Sequence, residues 1–185
     1  MACREVSIKK KKEQNIYLYY GANIKRACIL FSCGMILGGI LTIYSQLHRG
    51  ESLHFFTEKD LGIGAVPSFS SIFLNNIIVG MLLAMGIIWG RLLSQVILLI
   101  NGVLLGIVIS SYYYVQDSAK VLLSLLPHSV IEVCCLLMCA SIGMSKYKKY
   151  RIADDMKLIG SIVLGYMIAA AIEVSLSYKM AQFWT

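Results

Sequence analysis

The sequence predicts an all-α protein, a polytopic membrane helical bundle of about five transmembrane helices. Three observations lead there. Hydrophobic residues make up 58% of the 185-residue chain and charged residues only 15%. The apolar residues fall in blocks of about 18–22, the length needed to cross a hydrocarbon core of roughly 30 Å. Lys and Arg stand beside the ends of those blocks, where they set orientation rather than bind an external polyanion. The net charge of +7 is therefore not a nucleic-acid signal. No polar segment approaches the roughly 50 residues of a second domain. Two units result: a basic cytoplasmic tail over residues 1–26 and a single transmembrane domain over 27–185.

The tail carries Lys9-Lys10-Lys11-Lys12 and then Tyr17, Tyr19 and Tyr20, a basic segment ending in an interfacial aromatic belt. The first span, 27–47, follows. It imitates a secretory signal, but its core is too long and no small-x-small cleavage site follows, so it reads as a retained anchor. Gly34 and Gly38, four residues apart, give it a smooth face for helix contact. Residues 48–70 form the longest polar connection; its His48, His54, Glu51, Glu58 and Asp60 have irregular spacing and read as a solvated loop.

The second span, 72–90, begins with Asn75 and Asn76 in its first turns and ends at Gly86-x-x-x-Gly90. Arg91 marks a very short turn, which makes spans two and three antiparallel neighbours. The third span, 92–115, holds Asn101 near its middle, expected to hydrogen-bond across helices, and the pair Gly102 and Gly106. Glycine pairs in three consecutive spans predict tight packing within the chain, or a seam between two copies in a homo-oligomer.

Residues 116–126 are too short and polar to span, and read as an interfacial or re-entrant helix before Pro127. Proline has a fixed φ and no N–H, which suits the first turn of a helix. Pro127 is thus the expected start of the fourth span, 128–145. His128 and Glu132 then lie one turn apart on one face. Ionisable groups in a membrane helix are costly and face a partner or a wet cavity, and these two can serve each other. The fifth span, 158–178, carries Glu173 without a partner at helical spacing. The cysteines inside the spans behave as small packing residues. No spacing suggests a metal site, and no cofactor is expected.

Leu125-Leu126-Pro127-His128-Ser129-Val130-Ile131-Glu132 resembles the Leu-Pro-His-Gly-x-x-Glu signature of the stage II sporulation protein M family of multi-spanning membrane proteins. Phe73-Leu74-Asn75-Asn76 and Asn101-Gly102-Val103-Leu104-Leu105-Gly106 agree with it in order and spacing, so that the likeness runs from Ile72 to Gly143. Ser129 stands where the family has Gly, and Val133-Cys134-Cys135 where it has a small apolar stretch with proline. The resemblance implies a bacterial cell-membrane protein that acts as an accessory subunit rather than an enzyme. One branch works with cell-wall hydrolases in membrane remodelling during spore engulfment. Short basic members belong to circular-bacteriocin systems, beside an ATP-driven exporter and small hydrophobic peptides, and the short basic tail here is more like theirs.

The sequence-based expectation is a non-catalytic subunit of a peptide maturation, export or immunity assembly, with other integral membrane subunits and the bilayer as partners. The alternative is a transporter or intramembrane metal-dependent enzyme using His128, Glu132 and Glu173, since three protein ligands match an open zinc site. Structural pairing, proton relay and metal binding all remain open for these groups. For orientation, all of the 17 Lys and Arg except Arg49, Lys59, Lys120 and Lys179 fall in the tail, at Arg91 or within 146–157. That bias places the N-terminus in the cytoplasm and the C-terminus outside.

Overall fold

The computed structural model describes residues 2–49, 68–113, 118–145 and 152–183. The long connection after the first helix, the 146–151 basic loop and Trp184 lie outside the described residues. Six helices follow in order: α1 Ala2–Arg49, α2 Phe69–Ala84, α3 Gly86–Trp89, α4 Arg91–Tyr113, α5 Ser118–Gly143 and α6 Ile152–Phe183. No strand occurs among the described residues.

Among the described residues, four stretches are long and apolar enough to cross a membrane: Gly21–His48, Phe69–Trp89, Arg91–Ser111 and Met156–Leu176. The apolar part of α5, Pro127–Gly143, is shorter. The architecture is a helical membrane bundle. Many large apolar side chains point outward, among them Ile36, Ile40, Ile78, Ile88, Val96 and Leu164, as expected where the solvent is lipid.

α5 is the hub, packing against α1, α2, α4 and α6. It starts at Ser118, so Pro127 lies inside the helix rather than at its start. The missing N–H forfeits the bond to the Leu123 carbonyl, a loss that neighbouring helices make tolerable in membrane bundles. The segment 118–126 is thus the first part of α5, and among the described residues no separate re-entrant helix precedes Pro127.

The most extensive contact joins α1 to α4, and glycine makes it possible. A Cβ on Gly34 would lie 2.5 Å from the Leu99 carbonyl oxygen, and one on Gly102 would lie 2.5 Å from that of Phe31. Gly38 meets Val103 and Gly106 meets Met35 still more closely, again at backbone carbonyls. Each glycine of one helix faces main chain of the other, which lets the two backbones approach as side chains would not. Gly39 adds a contact with Ser110 one step around the helix.

α2 begins at Ser68, whose hydroxyl accepts from the Ser71 N–H at 3.3 Å, an N-cap. Its regular course ends at Met85, after which the short α3 leads to Gly90. Gly90 has φ 108° and open space around it. It is a turn residue, not a packing one, because few side chains tolerate that backbone. At the break the buried Ser94 hydroxyl donates to the Leu83 carbonyl at 2.6 Å, supplying from α4 a partner for the interrupted helix. Gly86 and Gly143 both press on Ser94, and Gly143 also on the Leu83 carbonyl. Nearby, Asn23 donates to the Ser145 hydroxyl at 3.1 Å. This end of the bundle is closed.

Replacing Gly102 or Gly106 by Leu should lower the thermal stability of the detergent-purified protein, by roughly 1–3 kcal/mol or more per site, since main chain cannot yield to a side chain. Gly160 has nothing within 4 Å, and Gly160→Leu should leave stability unchanged within about 0.5 kcal/mol. Equal behaviour of the three variants would show that the α1–α4 seam does not carry the fold.

Candidate functional site

At the opposite end, α2, α5 and α6 diverge around a cavity of about 350 Å³ lined by Ser71, Ile72, Asn75, Asn76, Glu132 and Glu173. Helical spacing explains the α2 contribution: Ser71, Ile72, Asn75 and Asn76 are three or four residues apart and share one face. Glu132 comes from the second turn after Pro127, and Glu173 from the last part of α6. Asn76 Nδ2 donates a short hydrogen bond to Glu132 Oε1, tying α2 to α5. Asn75 is exposed at the rim, whereas Asn76 is half-buried.

The residues marked out in the sequence thus separate into groups. Glu132, Glu173, Asn75 and Asn76 come together. Glu132 takes a hydrogen bond from Asn76 on another helix. His128 is buried, 6% exposed, and does not line the cavity. Asn101 lies on α4, away from this cavity, and its amide donates at 2.8 Å to the Ile97 carbonyl of its own helix, not across the bundle. Its return bond follows the i to i−4 pattern open to a short polar side chain in a helix. Ser71 and Ile72 join the site unannounced, although their spacing from Asn75 would have found them. Among the described residues no group of three or more His, Cys, Asp or Glu is placed to hold a metal ion.

Below the cavity the bundle tightens. One turn past Asn76, Gly80 faces the ring of Tyr166 and the thiol of Cys139. A Cβ there would lie 3.0 Å from Tyr166 Cε2, 3.1 Å from its hydroxyl and 3.2 Å from Cys139 Sγ. Tyr166 is 1% exposed, and its hydroxyl has no nitrogen or oxygen partner among the described residues. The Cys139 thiol is its hydrogen-bonding neighbour, a weaker partner than nitrogen or oxygen. On the neighbouring face the Cys135 thiol donates to the Ile162 carbonyl at 3.7 Å and packs 2.5 Å from where Gly165 would carry a Cβ.

Chemically the cavity offers two carboxyl groups and two carboxamides at the end of an otherwise apolar bundle. Such a set can accept hydrogen bonds from a cationic or N–H-bearing group and can exchange a proton with water. It belongs to a multi-spanning helical membrane protein. The family model described as Stage II sporulation protein M matches residues 27–178. The chain belongs to the stage II sporulation protein M family. It is also similar to an uncharacterized protein of Methanocaldococcus jannaschii, 29% identical over 177 residues, covering 84% of this chain and 93% of that protein. No solved structure matches it.

Replacing Asn76 by Leu should destabilise the fold by about 1–3 kcal/mol, because the Glu132 carboxyl loses its donor in a low-dielectric site. Adding Glu132→Leu should recover part of that loss, with a coupling of about 0.5–3 kcal/mol in a double-mutant cycle on thermal unfolding in detergent. Additive losses would mean that the two side chains do not depend on one another.

Proposed function

We propose that the chain is a non-catalytic membrane subunit of a peptide maturation, export or immunity assembly of the circular-bacteriocin kind. In this reading the carboxyl-lined cavity receives a basic or N–H-bearing group of a hydrophobic peptide or of a neighbouring integral membrane subunit, such as the membrane part of an ATP-driven exporter. The observation that supports it is the convergence of Glu132, Glu173, Asn75 and Asn76 on one cavity. Intramembrane carboxyl groups are costly and gather where a partner or pathway needs them. With the N-terminus cytoplasmic and the C-terminus outside, the cavity lies on the outer side, near the ends of the helices that face the extracellular phase.

A second reading is favoured by the same two carboxyl groups: an independent transporter in which they relay a proton or small cation. Mild-detergent purification from the native membrane separates the two. The assembly reading expects integral membrane subunits to co-purify. Glu132→Gln with Glu173→Gln should keep membrane abundance near wild type while reducing the co-purified amount at least about tenfold, the equivalent of ~1.4 kcal/mol. The lone protein moving protons or cations in liposomes, with no co-purifying subunit, would overturn the assembly reading in favour of the transporter.

A further inference from the structure

The cavity is lined from three helices, and the hydrogen bond beside it fixes what each helix has left to offer. Asn76 Nδ2 is committed to Glu132 Oε1. A carboxylate only accepts, so the orientation of the amide is set, and the carbonyl oxygen Oδ1 is the end that Asn76 has left. Glu132 keeps its second oxygen, Oε2. Glu173, on α6, accepts no hydrogen bond and forms no ion pair among the described residues.

Thus α2, α5 and α6 each bring an acceptor oxygen to one cavity, and no Lys, Arg or His is among its lining residues. Ser71 and Asn75 can accept as well as donate. The complement to such a set is a positively charged group rich in N–H donors. The same hydrogen bond narrows its shape. A planar guanidinium pairs best with both oxygens of one carboxylate, and at Glu132 one of the two is already taken. A primary ammonium carries three donors on one nitrogen and can turn them onto single oxygens from different sides. A metal ion fits less well, since among the described residues no three His, Cys, Asp or Glu side chains are placed to hold one. The volume of about 350 Å³ has room for an ammonium head and the methylenes behind it.

We propose that the cavity is a receptor for one primary ammonium group, with Glu173 as its counter-ion and Glu132 Oε2 and Asn76 Oδ1 as oriented acceptors. A lysine side chain and the N-terminal amine of a partner chain share this chemistry. The ligand class deepens the assembly reading and rests on it.

The test uses the full chain alone in lipid nanodiscs. Butylammonium is the lysine-like probe and glycinamide the N-terminus-like probe, with butyltrimethylammonium and butylguanidinium for comparison. Binding is followed as the rise of the thermal-unfolding midpoint with probe concentration, at neutral pH and constant ionic strength. At least one ammonium probe should raise the midpoint saturably, and which of them does so separates the two sources. Its half-saturating concentration should rise at least about tenfold in Glu173→Gln, the loss of one charge-assisted partner. Glu173→Asp, which keeps the charge, should recover most of that loss. Butyltrimethylammonium, with the same charge and no N–H, should give no saturable rise. An equal rise with butyltrimethylammonium, tighter binding of butylguanidinium, or undiminished binding in Glu173→Gln would overturn the ammonium site. So would the absence of a saturable rise with both ammonium probes. The co-purification of integral membrane subunits is a separate readout, so the ligand class can fail while the assembly reading stands.

Discussion

The structure depends on how closely two backbones can approach. α1 and α4 meet main chain to main chain at Gly34, Gly38, Gly102 and Gly106, a separation that any side chain at those positions would prevent. In lipid the apolar surface of a helix gains little from leaving its solvent, so close packing must supply what the hydrophobic effect supplies in water. The seam fixes a two-helix platform against which α5 then packs. Once α5 is held on several sides, polar atoms along it are shielded from lipid, and only then can the chain place His128 and Glu132 there. The glycines far from the cavity are therefore a condition for the carboxyl groups within it.

Much of this architecture was legible in the sequence. Four apolar stretches are long enough to span by themselves, and the glycine pairs on α1 and α4 carried their own spacing signal. What the sequence could not resolve was partnership between helices. Glu132 had a visible neighbour four residues back, but spacing gave no sign of the hydrogen bond it takes from Asn76, 56 residues away. Asn101 had no visible local partner and found one four residues back. Spacing within a helix states which groups share a face. It says nothing about which helix that face will meet. Gly90 shows the same limit: its four-residue spacing from Gly86 looked like a packing pair, but its positive φ belongs to a turn. Pro127 misled for a related reason, because a rule learned from soluble helices overstates how often proline begins one.

The two ends of the bundle are built from different chemistry. One end is sealed by contacts that involve backbone carbonyls, glycine and serine, with the Ser94 hydroxyl completing the interrupted α2. The other holds side chains that can exchange with water, spread over three helices so that no single one positions the site. Between them lies a layer of small and soft groups: Gly80, Cys139, Cys135 and Gly165, with one large ring, Tyr166.

The short apolar part of α5 has an electrical meaning. Pro127–Gly143 spans about 26 Å at ~1.5 Å per residue, less than the longer spans packed around it. Neighbouring helices cover much of it, though Val130 and Met138 face outward. The polar cavity reaches along the protein axis as far as Glu132. If that end is wet, a transmembrane voltage would fall mainly across the apolar layer between that carboxyl and the sealed end, and a charge crossing that layer would sense most of the ~2.3 kcal/mol available per 100 mV over a fraction of the membrane's thickness.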